Sequence, residues 1–579
     1  MGRKHIKRLT VGGFQVFENP VTFPMGPLTL IYGPNSAGKS AILDAMLALA
    51  DLCDDWVPRS SSTASHKPQT VDVLRRHWRR QGVAPAAPAE VLELGASIRM
   101  RGDEWAETGF ATREFGPWGD LVPKNAEFAS CFPILQPLMA SRHLDLEVSV
   151  RYKRSERSAP GALPISHDLF AKEKRIEIGL SGAPILRFYQ AHGLVCINLD
   201  HDVLDAWSAV ADLRLIAPDH EDAFVVHGGW LGLRLSGYSH DCLSTNAVDL
   251  IEHLLSADLI ERVRAAEASF INMFDALFVA SLKCARDVLR VPVVDASRTV
   301  PRTEEVTFLF NLGANPISGD QVGLRIEGRP EYLGITREAF ASEMVRQGLT
   351  ERATWLFGEE IPRLAKNPLD LVNRLLGDYL FRSAGYFVAA GVHELIPLGI
   401  GDLDRDAPNI KDVPRKFLAS LELCDPAGRR FRFDEVGSGL GYVLPVLFTV
   451  STSDVAFVQQ PELHLHPALQ SELADALVAA LSDSAFGGAS AEGCTQIIAE
   501  THSEHLLLRL LRRVRQAADP GRSLDPHSLG REDFVVLYVD PKPDGTSTVK
   551  HLRIAKDGEF IDRWPRGFFE ERWTELFDE

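Results

Sequence analysis

Apolar positions form two clear patterns at the ends of the chain and a less regular one between them. Leu28–Tyr32 (LTLIY) is a short apolar run suited to a buried strand. Gly33–Gly38 follows as a turn, and from Lys39 to about Leu52 apolar residues recur at helical spacing. His143–Tyr152 alternates apolar and polar side chains and predicts a strand. Regularity returns at Phe431–Phe433, which leads into a glycine-rich turn and a helix. Asp454–Gln459 and Thr495–Glu500 read as strands, Leu469–Leu481 and the stretch around Glu504–Arg515 as helices. Phe534–Asp540 and Thr548–Ile554 close the pattern as strands around a PDG turn.

Between these ends, Arg59–Pro88 is loop-like, and residues 160–385 are mixed with helical stretches at Ala247–Leu289 and Arg337–Arg382. No a/d heptad repeat is sustained there, which argues against a long coiled-coil arm. The expected class is α/β, with residues 1–158 and 386–579 as two halves of one head around a mixed, largely helical insertion at 159–385.

Composition narrows this only a little. The chain has 579 residues, 45% of them hydrophobic, enough for more than one core. The formal net charge of -17 argues against a protein that coats nucleic acid, while a local basic groove stays compatible with it. Seven scattered cysteines without a CxxC pair fit a reduced compartment and no zinc site. The start shows no apolar core of signal-peptide type, and no run reaches the roughly 18 apolar residues of a membrane span. A cytoplasmic protein is expected.

The first chemical motif is Gly33-Pro34-Asn35-Ser36-Ala37-Gly38-Lys39-Ser40, which fits GxxxxGK(S/T) between a strand and a helix. Glycines there let the backbone curl so that several N–H groups face one phosphate, and the helix start adds its positive end. Lys39 is expected at the β- and γ-phosphates of ATP, and the Ser40 hydroxyl on Mg²⁺.

Three later segments stand in a fixed order. Glu435-Val436-Gly437-Ser438-Gly439-Leu440-Gly441-Tyr442 is a glycine-rich turn opening an apolar helix. Val455-Ala456-Phe457-Val458-Gln459-Gln460-Pro461-Glu462-Leu463-His464-Leu465-His466-Pro467 is a strand followed by PELHLHP. Ile497-Ile498-Ala499-Glu500-Thr501-His502-Ser503 is a strand ending in ETHS. With the phosphate loop, this order resembles the split heads of ABC-type ATPases, in particular the SMC-like and OLD-like bacterial ATPases. It is similar to stand-alone ATPases of anti-phage defence systems such as Septu. Trp564–Arg572 (WPRGFFEER) adds to the likeness.

The resemblance implies a function for each segment. Gly437, Ser438 and Gly439 would be the signature loop, which caps ATP bound to a second subunit. The strand through Gln459 would be the Walker B strand, the PELHLHP stretch a D-loop, and His502 the switch histidine. Two histidines two apart also suit a metal, but in this order D-loop packing is the preferred reading. Phe115–Asp120 resembles a Q-loop region, and Ala296–Arg302 a strand-end arginine motif near the nucleotide.

The chain departs from that family where an acidic pair is usual, because Gln459 and Gln460 stand there. An amide can hold a water or turn its oxygen to a metal, but it cannot take a proton from the attacking water. A missing general base costs about 10²–10⁴-fold, so slow hydrolysis is expected unless Glu462 or Glu500 supplies the carboxylate. The candidate catalytic set is therefore Gln460, Glu462, Glu500 and His502, with Ser40 and Gln459 at the metal. OLD-like nucleases carry a TOPRIM domain, and about 65 residues after Arg515 are too few for one. A homodimer or higher oligomer through the heads is expected, acting with a separate nuclease effector. The alternative is an SMC-like DNA-processing or repair ATPase stimulated by DNA. Four basic clusters bear on it: Arg3 to Arg8, Arg75 to Arg80, Arg151 to Arg157 and Arg509 to Arg515.

Overall fold

The structure is a computed structural model that describes residues 4–55, 91–105, 140–154, 171–181, 183–191, 194–199, 281–298, 308–311, 324–326, 368–382, 384–395, 416–481, 496–518 and 529–565. The expected loop at Arg59–Pro88, the Phe115–Asp120 segment, most of both middle helices and the Arg75 to Arg80 cluster lie outside these residues. So do residues 566–572, the end of the WPRGFFEER stretch.

A six-stranded sheet forms the centre. Its strands are β3 (Leu28–Tyr32), β9 (Val293–Val294), β15 (Val455–Gln459), β16 (Gln496–Glu500), β17 (Phe534–Pro541) and β18 (Ser547–Leu552). Their order is β18-β17-β3-β16-β15-β9, parallel from β17 through β9, with β18 antiparallel at one edge. The fold is thus mixed α/β. The strand bearing the phosphate loop lies between two strands from the far end of the chain.

These central strands are near-continuous apolar runs because both faces are covered, and every residue of β3 and β16 is buried. The pleat sends alternate residues into different cores. Ile31, Phe457, Ile498, Leu537 and Val539 pack on one side with Ile42, Met46 and Leu49 of α1 (Ser40–Asp55). Leu30, Tyr32, Ala456, Val458, Ile497 and Val536 pack on the other side. The partners there are α2 (Pro368–Asp378), α3 (Ser438–Thr452), α4 (Pro467–Leu481) and α5 (Glu504–Ala517). Asp475 of α4 is fully inside this second layer, and Arg513 and Arg509, one turn apart on α5, bind it at 2.7 and 3.2 Å. A buried carboxylate held by two cations keeps the helices in register.

An antiparallel sheet covers the first core. It is built from β1 (His5–Gly12), β2 (Val21–Pro24), β4 (Val91–Met100), β5 (Leu144–Arg154), β6 (Ala171–Leu180), β7 (Ala183–Ala191) and β8 (Leu194–Leu199), in the order β2-β1-β4-β5-β6-β7-β8. Three strands of the stretch read as a mostly helical insertion therefore extend this sheet. A smaller sheet contains β10 (Phe308–Asn311), β11 (Leu324–Ile326), β12 (Phe387–Leu395), β13 (Lys416–Cys424) and β14 (Arg430–Phe431).

Gln496, at the first position of β16, ties the outer sheet to the central one. Its side chain is fully buried; Oε1 accepts the Ile6 N–H at 2.9 Å, and Nε2 donates to the Ile6 and Gly26 carbonyls at 2.7 and 3.0 Å. The β1–β4 register shifts between Ile6 and Arg8, beside this tie. Among the described residues no helix is long and apolar enough to cross a membrane.

Candidate functional site

The phosphate loop leaves the carboxyl end of β3 through two glycines in backbone regions that other residues rarely adopt. Gly33 has φ 148° and Gly38 φ 97°. A Cβ on Gly33 would lie 2.7 Å from the Val539 carbonyl oxygen, and one on Gly38 2.3 Å from Val16 Cγ2. The loop is thus pinned on both sides by backbone that only glycine permits. Ser547 of β18 braces it further, its hydroxyl donating to the Ala37 carbonyl at 2.7 Å and its N–H to the Val16 carbonyl at 2.8 Å. Val16 and Ser547 were not singled out from sequence; the GGFQVF turn gave no chemical signal, since its contribution is shape.

Lys39 is 5% exposed and donates to the Gly33 and Pro34 carbonyls at 3.0 and 3.1 Å. Burial pulls its pKa down, and the Glu500 carboxylate, 3.8 Å away, opposes that. Ser40 opens α1 and donates its hydroxyl to Glu500 Oε2 at 3.1 Å. Gln459 and Glu500 end adjacent parallel strands in direct register. The Gln459 Nε2 lies 3.3 Å from Glu500 Oε2 and 3.4 Å from Ser40 Oγ, while its Oε1 accepts the Ala296 N–H at 3.3 Å. Lys39, Ser40, Gln459 and Glu500 therefore meet at one point.

Gln460 starts the turn after β15 with φ 47°, its N–H donating to the Glu500 carbonyl at 2.7 Å. Glu462 points inward. Its Oε1 accepts the His502 N–H at 2.9 Å, and its Oε2 is buried without a hydrogen-bond partner. Burial raises its pKa, an effect that the His502 N–H and the Arg298 charge only partly offset. His502 stands at the end of β16; burial lowers its pKa, and the Lys39 charge lowers it further.

Arg298 joins these parts. It is 7% exposed and donates to the Gln459 carbonyl at 2.8 Å, Gln460 at 2.9 Å, Tyr442 at 3.0 Å and Asp295 at 3.1 Å. Burial pushes its pKa down to about 10, so it keeps its charge at neutral pH. Through Arg298 the β15 end is tied to the start of α3. The Tyr442 ring lies 4.4 Å from that of His464, and a Cβ on Gly439 would approach the His464 carbonyl oxygen at 3.2 Å. Gly437 caps α3, and it and Ser438 are exposed, so the amino end of the helix faces outward. His466 Nδ1 accepts the Ala468 N–H at 3.3 Å at the start of α4.

The residues present fit a nucleoside triphosphate with a hard cation. Gly33 and Gly38 hold the loop in a conformation where a Cβ would strike Val539 and Val16, and Ser40 with Glu500 offers hydroxyl and carboxylate oxygens.

The basic clusters that fall on described residues are largely engaged. Lys7 binds Asp145 at 2.8 Å, Arg8 binds Glu147 at 2.7 Å, and Arg509 and Arg513 share Asp475.

Residues 359–509 match a family model described as "AAA domain, putative AbiEii toxin, Type IV TA system". The matched stretch holds the Gly437, Gln459 and His502 segments, leaves out the Gly33–Ser40 loop and ends short of β17. No curated protein matches the chain. Among solved structures, it is similar to an Smc head domain with an extended coiled coil, bound to the C-terminal domain of ScpA, derived from Pyrococcus furiosus. That likeness has 12% identity, covers 99% of this chain and 98% of that one, and has a TM-score of 0.33. An SMC head domain from Thermotoga maritima is 10% identical, covered at 95% and 100%, with a TM-score of 0.31.

Proposed function

We propose that the chain binds ATP with Mg²⁺ at Gly33–Ser40 and works as a nucleotide-gated ABC-type switch that hydrolyses ATP slowly. One observation carries this reading. A buried lysine and a cation-ligating hydroxyl stand at the carboxyl end of the central strand, and the next strand but one ends in amides. Bound Mg²⁺–ATP would supply the transferable phosphoryl group and the charge that holds the loop closed. Lys39 holds a positive charge at the loop, and Gln460 can hold a water without taking its proton. Glu462 is drawn inward by the His502 N–H and is poorly aimed to serve as the base.

The outward-facing start of α3 supports a partner head that meets the nucleotide, and hence an ATP-dependent homodimer. A regulatory post in prokaryotic defence, in the cytoplasm and beside a separate nuclease effector, follows from the motif resemblance, and the matched description, a putative toxin of a type IV TA system, is compatible with a regulatory role. A DNA-stimulated repair ATPase fits less well, because Lys7, Arg8, Arg509 and Arg513 already bind carboxylates.

The test is size and turnover together, on purified protein with Mg²⁺-ATP. The expected result is a dimer formed only with ATP, with turnover about 10²–10⁴-fold below that of an ATPase with a placed base. Lys39→Ala is expected to lose both binding and dimer. A chain that stays monomeric in Mg²⁺-ATP, with nucleotide affinity unchanged by Lys39→Ala, would overturn the reading.

A further inference from the structure

We infer that Glu500, one strand across from Gln459 in the central sheet, supplies the carboxylate on the Mg²⁺ side of the site. The inference rests on the ATP-binding reading and deepens it. Gln459 and Glu500 are partners in the parallel β15–β16 ladder, so their side chains leave the same edge at the same level. A carboxylate moved from one to the other stays within reach of the same hydroxyl.

The side chains are arranged accordingly. Glu500 is 8% exposed, and its Oε2 accepts the Ser40 hydroxyl at 3.1 Å. Gln459 presents its NH₂ to that site, because its oxygen is taken by the Ala296 N–H. An NH₂ group cannot ligate a cation, but it can donate to Glu500 and hold the carboxylate facing Ser40. Gln459 is thus a positioning residue. A second carboxylate at 459 would sit 3 to 4 Å from Glu500, where two like charges resist joint ionisation. The amide at 459 and the acid at 500 therefore form one hydrogen-bonded pair.

This assignment is consistent with the slow hydrolysis proposed above. Glu500 is engaged with Ser40 and Lys39, and Glu462 with the His502 N–H, so neither stands where Gln460 does.

The test uses full-length protein and a fluorescent ATP analogue that resists hydrolysis, titrated in EDTA and in Mg²⁺, with Mn²⁺ binding followed by electron paramagnetic resonance. Wild type should bind the analogue more tightly with Mg²⁺. Glu500→Gln should keep the EDTA affinity and lose the Mg²⁺ gain and the Mn²⁺ affinity by about tenfold or more. Gln459→Glu placed on Glu500→Gln should restore most of both, since it puts a carboxylate on the neighbouring strand. Glu500→Asp, which keeps the charge, should fall between. Glu500→Gln with its full Mg²⁺ gain would overturn the inference, as would a folded double variant that restores nothing. Wild type that binds no analogue in either buffer, like Lys39→Ala, would instead remove the ATP-binding reading, and the inference with it.

Discussion

His502 shows how a single side chain reports the state of the loop. Its ring stands near the positive Lys39 and is half-buried, and both effects favour the neutral imidazole. In the unfolded chain the group takes a proton near its usual 6.5, while in the folded chain it resists to lower pH. Its contribution to stability is therefore complete above 6.5 and is lost as pH falls through the lowered folded value. Glu462 works in the opposite sense, because its raised pKa lets the folded protein take up a proton first as the solution is acidified. Melting temperatures of wild type and His502→Gln, compared from about pH 7.5 to about pH 5, isolate the histidine. The variant should lose less stability on acidification than the wild type; an equal loss would mean that folding leaves the His502 pKa unshifted. Arg298 lies in the Ala296–Arg302 segment, which resembles a strand-end arginine motif. Its observed work is to hold four carbonyls of the turns around Gln459 and Tyr442. Which carbonyls an arginine will meet is a tertiary fact that no local pattern carries.

At the scale of elements, the tie between sheets is the most exposed to a single change. Gln496→Leu keeps the bulk and apolar character of a buried strand but removes the acceptor of the Ile6 N–H and a donor to the Ile6 and Gly26 carbonyls, of which Gly26 keeps the Thr29 hydroxyl at 3.2 Å. Leaving buried polar groups unsatisfied should cost about 3 kcal/mol in all. Urea unfolding should shift to lower concentration, and hydrogen exchange at the Ile6 amide should speed up. Unchanged exchange at Ile6 would show that the sheets are held elsewhere. The strands and helices of both ends were readable because burial imposes a strict period on them. The Leu28–Tyr32 strand is found as expected, and the helix after it begins at Ser40, one residue beyond Lys39. β6 was harder to read, since within AKEKRIEIGL only Ile176, Ile178 and Leu180 keep the inward alternation, behind a charged start. Of the candidate site, the cradle and its lysine were legible through a motif. The meeting of Ser40, Gln459 and Glu500 was not, because it depends on which strand lies beside which.

In the whole molecule, the central sheet is assembled from opposite ends of the chain. β3 carries the phosphate loop and pairs with β16 and β17, and the nearest link from the outer sheet joins Ile6 to a residue 490 positions later. Such contacts are among the most remote a chain can make, and their loop-closure cost must be met before burial rewards it. This order of pairing governs the protein while it is being made. As the ribosome extends the chain at about 5–20 residues per second, Leu28–Tyr32 is out for roughly 25–100 s before its neighbours exist. During that interval a largely apolar strand and the outer-sheet face beside it must be shielded by chaperones or left open to proteases. Nascent chains arrested before β16 should therefore be cut by a mild protease within 4–55, and chains released after β18 should resist it. Protection of that segment in the arrested chains would mean that the amino-terminal half folds without its distant partners.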